Sequence, residues 1–182
     1  MLCLNNLKIL KNEINIQNIM FESIKPYPWL KAIAAFSGEK RVISKEGKIP
    51  WKYPDEYKFF LDTISGHECV LGRVTWEYDK NLPSNKIYVL SRTIKNNKDK
   101  NVIFLNNFKE LPKPEEGKIM WVCGGSEIFK LYLPFCSELI ITHIHGNWKG
   151  DGFFPEYEHL FEFKKIIVEK PEYITKLYGR KK

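Results

Sequence analysis

The chain has 182 residues, of which 43% are hydrophobic and 14% aromatic, and it carries a net charge of +7. That is enough for one domain with a full core, and the apolar content is that of a globular chain rather than a disordered one. The longest apolar runs are strand-sized, far short of the roughly 20 residues a bilayer crossing needs, and the surplus positive charge comes with no basic stripe or recognition motif, so it points to solubility first, steering of anionic ligands second and nucleic acid a distant third.

In chain order, residues 1–30 are rich in Asn, Ile and Lys and read as an N-terminal extension of unknown role. Lys8, Lys11, Glu13 and Glu22 break it up, which argues against a secretory core, and Met20 is an alternative start. Residues 31–182 read as one domain. A buried first strand is predicted at 31–36 and a short extended piece at Val42-Ile43, followed by a turn at 45–48. A helix starts at Pro54 and Asp55, shows an apolar face of Tyr57, Phe60, Leu61 and Ile64, and ends at Gly66. Strands are predicted at 68–72, 87–90, 102–105, 119–123, 138–144, 161–168 and 174–178, with helices at 73–79, 106–111 and 126–133. Strands alternating with helices mean an α/β protein with a largely parallel sheet, and the last two strands, with no helix between them, make an antiparallel C-terminal edge.

Cys3, Cys69, Cys123 and Cys136 are widely spaced and include no Cys-x-x-Cys, which points away from zinc and towards a reducing, cytoplasmic setting. No metal is expected.

The densest chemical signal runs from Lys48 to Trp76. Glu56 follows a rigid Ile49-Pro50-Trp51 segment and is flanked on the helix surface by Phe59 and Phe60. An ordinary first-turn acid would complement the helix dipole. An acid walled in by rings is costly unless a donor meets it, and a planar group with two parallel N–H donors would satisfy both oxygens. Gly72-Arg73-Val74-Thr75-Trp76 places a strand, a Gly and a helix start together, where Arg73 and Thr75 can hold phosphate; taken alone, a surface Arg and Thr at a turn explain it as well. Ser91-Arg92 closes the next strand and either completes the same phosphate pocket or forms a plain turn. Gly124-Gly125-Ser126 lets backbone approach a ligand closely, although the Gly-x-Gly-x-x-Gly dinucleotide fingerprint is absent. Thr142 sits inside a strand and needs a partner, either Glu56 or local backbone. Asp151 either pins a mobile loop through backbone N–H groups or caps a turn.

Taken together, Pro50-Trp51…Glu56…Phe60, Gly72-Arg73-x-Thr75-Trp76-Glu77, Leu82-Pro83, Leu90-Ser91-Arg92, Gly124-Gly125-Ser126-Glu127-Ile128 and Thr142-His143-Ile144…Gly150-Asp151 resemble dihydrofolate reductase, in order and spacing, from about Lys31 to the C-terminus. The resemblance implies a mostly parallel eight-stranded sheet flanked by helices. It implies reduction of dihydrofolate to tetrahydrofolate with NADPH, by hydride transfer to C6 and protonation of N5, in one-carbon metabolism. By the same resemblance Glu56, Trp51 and Thr142 would be catalytic. Ile33, Ala35, Glu56, Phe60, Leu82, Cys123 and Thr142 would bind the substrate. Ala35, Ile43, Gly72, Arg73, Thr75, Ser91, Arg92, Cys123, Gly124, Gly125, Ser126, Glu127 and Ile128 would bind the cofactor. Residues 42–49 would be the loop that closes over the nicotinamide, latched through Asp151. A monomer with small-molecule partners, and neither nucleic acid nor membrane, completes the expectation.

The sequence departs from the family at points that bear on the substrate. Ser84-Asn85 stand where the family usually has Gly-Arg, the Arg that clamps the glutamate carboxylate of folate, and Lys86 is a point charge without the planar fork. Phe129 stands for a common Tyr, and Gly152 for a usual Thr. Two other readings compete. One is a riboflavin-pathway pyrimidine reductase of the same fold, against which Trp51, Glu56 and Thr142 argue; the other is a non-catalytic nucleotide-binding relative.

Overall fold

A computed structural model describes residues 25–93 and 99–182, so the expected extension lies outside the described residues up to position 24. In chain order the elements are β1 (Tyr27–Ser37), β2 (Val42–Ser44), α1 (Pro54–Ile64), β3 (Glu68–Gly72), α2 (Arg73–Tyr78), β4 (Lys86–Leu90), β5 (Val102–Leu105), β6 (Met120–Val122), α3 (Ser126–Tyr132), β7 (Cys136–Ile144), β8 (Gly152–Phe153), β9 (Phe161–Glu169) and β10 (Tyr173–Arg180). Single 3₁₀ turns lie at Phe108–Glu110, within the helix expected at 106–111, and at Leu133–Phe135.

All ten strands belong to one sheet. Eight of them run in the order β5-β4-β3-β6-β1-β7-β10-β9, while β2 pairs with β1 and β8. The strands from β5 to β7 are parallel, and β10 pairs antiparallel with both β7 and β9. The antiparallel C-terminal edge is therefore present, with β9 outermost. Two further details differ from expectation, beyond the 3₁₀ turn at Phe108–Glu110 and a sheet of ten strands where eight were expected. β1 begins four residues early and includes Pro28, next to a register shift between Tyr27 and Lys31; such an irregularity is where a strand tolerates a missing N–H. Residues 152–153, expected as loop, form β8 because β2 offers them an open edge.

The side-chain alternation of the strands sorts the core onto two faces. Ala32, Val70, Tyr88, Met120 and Val122 pack on one side beneath Ile128, Phe129 and Tyr132 of α3. Ile33, Cys69, Leu71, Ile87, Val89 and Trp121 pack on the other, against Ile64, Phe59 and Phe60 of α1. The apolar face predicted for α1 is real but not wholly core: Ile64 is buried, whereas Tyr57, Phe60 and Leu61 keep partial exposure. Tyr57 and Phe60 keep it because they form the wall of a cleft.

Strand lengths create that cleft. β6 is three residues long, and its last residue, Val122, pairs with Ala32. β1 runs on to Ser37 alongside β7. Between Ile33 and Phe36 the β6 side of β1 has no partner strand, and the sheet opens there before β2 pairs at Ser37. The parallel strands β3, β4 and β6 all end at the same rim, the position where open α/β sheets bind ligands.

Candidate active site

The opening is a cleft of about 860 Å³. Ile33, Ala35 and Cys123 line its floor, and Trp51, Glu56, Tyr57 and Phe60 one wall. Gly72, Arg73, Thr75, Ser91, Arg92 and the Gly124–Ile128 stretch line the far end, and Ile43 and Leu82 the flanks. Of the site residues proposed from sequence, only Thr142 does not line the cleft. It lies behind Glu56, 2% exposed, and reaches the cavity through that side chain.

Glu56 is the chemical centre. Pro54 opens α1 without a side-chain cap, which puts Glu56 in the first turn and turns it inward, 8% exposed. Burial raises its pKa from 4.5 to about 7, and a hydrogen bond from Thr142 opposes part of that rise. The Thr142 hydroxyl lies 3.0 Å from that of Thr175, its cross-strand partner on β10. A hydroxyl has one proton to give. If Thr142 gives its proton to Glu56, Thr175 must donate to Thr142, making a directed chain that ends at the carboxyl. Trp51 is 4% exposed, and its Nε1–H has no partner among the described residues. Burial pushes the Cys123 thiol up, so Cys123 presents neutral, apolar surface.

The register of β3 and β4 builds the far end. Gly72 pairs with Leu90, so Arg73 and Ser91-Arg92 emerge at the same rim. Arg73 Nη1 is held by Glu77 at 2.7–2.8 Å, an i,i+4 pair on α2. Gly72 N donates to Gly124 O at 2.8 Å, tying the two strand–helix turns together. Between them Gly124, at φ +111°, and Gly125 present bare backbone. A Cβ on Gly124 would meet the Phe129 ring at 3.2 Å, and one on Gly125 would come within 3.5 Å of Thr75 Oγ1. Thr75 and the glycine pair thus form a narrow polar cradle suited to a pyrophosphate.

The turn after β2 lies over the middle. The turn 45–48 is doubly hydrogen-bonded between Lys45 and Lys48, and a Cβ on Gly47 would lie 3.0 Å from Val74 of α2. Both carboxylate oxygens of Asp151 accept from Glu46 N, at 3.1 and 2.9 Å. Ser126 Oγ accepts from Phe153 N at 3.0 Å, which joins the same latch to the start of α3.

The family model for dihydrofolate reductase matches residues 29–174. The chain belongs to the dihydrofolate reductase family. Curated members of the family are similar over most of their length. A dihydrofolate reductase of Buchnera aphidicola subsp. Schizaphis graminum is 36% identical over 138 residues, 74% of this chain and 84% of the relative. A type A13 dihydrofolate reductase of Escherichia coli is 32% identical over 166 residues, 88% of this chain and 97% of the relative. Among solved structures, a dihydrofolate reductase from Enterococcus faecalis complexed with NADP(H) and RAB-propyl superposes with a TM-score of 0.71 at 29% identity, covering 84% of this chain and 96% of that one.

Several positions relative to the cleft were not legible in the sequence. Thr175 lies on a strand whose register the sequence does not state. Tyr57 sat in the apolar pattern of α1, yet its hydroxyl donates to Asp79 on the opposite wall. Asn106 and Asn107 line the far end of the cleft from the loop after β5. His143, next to Thr142, points to the other face of the sheet and bonds Tyr178 at 2.8 Å. Asn85 is exposed and off the wall, and Lys86 is held by Glu115 at 2.7 Å. No helix among the described residues is long and apolar enough to cross a membrane.

Proposed function

We propose that this chain reduces dihydrofolate to tetrahydrofolate with NADPH, with the residues of this cleft in the roles that follow. The observation that carries the reading is a buried, ring-walled carboxyl at one end of an apolar cleft that has an arginine-lined polar cradle at the other. Bound NADPH supplies the hydride. The rest is positioning, dryness and one proton.

Glu56 accepts from the amino group and ring N–H of the pterin, a planar donor pair that matches its two oxygens. With a pKa raised to about 7, it binds as a carboxylate and still keeps a proton within reach at neutral pH. Thr142, held by Thr175, sets the orientation of that carboxyl. The unpartnered Trp51 Nε1–H is placed to hold a water that relays a proton towards N5. Ile33, Ala35, Ile43 and Cys123 press the two rings together and exclude bulk water, and Phe60 and Leu82 flank the substituent on the pterin. Thr75, Gly124, Gly125 and Ser126 cradle the pyrophosphate, with Gly72, Glu127 and Ile128 shaping the cradle. Arg73, Ser91 and Arg92 take the 2′-phosphate, which accounts for NADPH over NADH. Cys69, Cys123 and Cys136 are free thiols, which supports a reducing, cytoplasmic setting.

Steady-state kinetics with dihydrofolate and NADPH test the reading. Turnover that is abolished in Glu56→Gln, with NADPH binding retained, supports it. A wild-type protein that consumes no NADPH in the presence of dihydrofolate overturns it.

A further inference from the structure

The wall of the cleft carries a charged residue that the reaction does not use. Asp79 follows α2 and faces Tyr57 across the cavity, and both line it. The Tyr57 hydroxyl donates to Asp79 Oδ2, and Asp79 Oδ1 accepts from Asn81 N at 2.9 Å. The carboxylate is therefore fixed in position, not free to swing away. Tyr57 is the residue after Glu56, and its ring leans on Phe60 with centroids 6.0 Å apart. A heterocycle bonded to Glu56 has the sheet as its floor and the arginine-lined cradle on one side. Phe60, Leu82, Tyr57 and Asp79 line the same cavity, so a substituent directed away from the cradle would pass them.

Asp79 forms no salt bridge among the described residues. Lys58 is bound to Asp62 at 2.6 Å, Lys86 to Glu115 at 2.7 Å, and Lys80 lies over the Trp76 ring at 4.9 Å. Lys48 belongs to the turn over Val74. Arg73 and Arg92 stand at the cofactor end. A folate tail ends in carboxylates, and on this path it would pass a like charge, with Arg73 and Arg92 at the far end of the cleft.

We propose that Asp79, held by Tyr57, is a specificity-determining residue that disfavours anionic tails and favours dihydropterins whose substituent is neutral or donates hydrogen bonds. The inference rests on the reductase reading and concerns the exit of the same site. One negative charge near a solvent-exposed tail is worth about threefold to tenfold in relative specificity. The test compares kcat/KM for dihydrofolate with kcat/KM for a dihydropterin bearing a methyl group in place of the tail, in the wild type, Asp79→Asn and Asp79→Lys. Asn removes the charge and keeps one acceptor for Asn81 N, and its amide N–H can donate to the Tyr57 hydroxyl in place of the second. The ratio of dihydrofolate to the tail-less pterin rises about threefold to tenfold in Asp79→Asn and further in Asp79→Lys. A ratio that stays flat or falls across the series overturns the inference while the reductase reading stands. Wild-type protein that turns over neither substrate overturns both. If Asp79→Lys fails to fold, the wild type and Asp79→Asn decide alone.

Discussion

Thr142 and Thr175 face each other across β7 and β10 with their hydroxyls 3.0 Å apart, both fully shielded from solvent, directly behind Glu56. The Thr142 hydroxyl is the group that lowers the pKa of Glu56 against the effect of its burial. Thr142→Val removes the hydrogen bond that opposes the pKa rise of Glu56. The midpoint of the pH profile for the chemical step should move up from about 7 in that variant, and single-turnover rates across pH will show it. Thr175→Val leaves Thr142 with a proton for Glu56, so the midpoint stays nearer the wild type while stability falls by about 1 kcal/mol.

Glu56 should oppose folding at high pH. Its pKa is 4.5 as a free side chain and about 7 in the fold. The stability gained from holding the neutral acid is fully present below 4.5, and it is lost as pH rises through about 7. The ionised, buried side chain then costs about 3 kcal/mol relative to acidic solution. Glu56→Gln carries no such charge. Above pH 7 it should be the more stable protein by up to about 3 kcal/mol, and the gap should close towards pH 4.5. Urea unfolding of both proteins across pH measures the difference, and a gap independent of pH would refute the assignment of this burial to Glu56.

Arg73 stands where the cofactor phosphate is proposed to sit, and it is engaged by Glu77. Arg73→Gln should raise the KM for NADPH by about tenfold and barely move that for NADH, because a charge-assisted contact to the 2′-phosphate is lost. Equal effects on the two cofactors would show that Arg73 acts elsewhere.

Gly152 packs directly on Ser44. A Cβ there would fall 2.1 Å from Ser44 Oγ, a contact that cannot exist without movement. Gly152→Ala should therefore pry β8 from β2 and loosen the latch that Asp151 makes on Glu46. The expected result is a drop in kcat/KM of roughly tenfold, for about 1–2 kcal/mol of lost loop closure. Adding Ser44→Ala to this variant removes the obstructing hydroxyl and should recover much of the loss. Absence of rescue would show that the strain lies elsewhere.

Much of the fold was legible because its signals are local. The Pro54-Asp55 start, the Gly66 stop and the apolar runs of β3, β4 and β7 each state their element within a few residues. The cradle at Gly124-Gly125 and the acid among rings at Glu56 were visible for the same reason. Other features depend on register and strand length, which no short stretch encodes. Thr175 became relevant only once β10 aligned against β7, and Arg73 and Arg92 reach the same rim only because Gly72 pairs with Leu90.

The linear chain thus determined the chemical inventory: an acid beside aromatic residues, two arginines after strands, a glycine pair, and an aromatic helix face. The tertiary structure decided which of these share a cavity, because the early end of β6 opens the sheet beside Ile33 and Ala35. It alone decided that Tyr57 and Asp79 meet across the exit, since hydrogen bonds between residues on different elements depend on packing geometry, not on spacing in the chain.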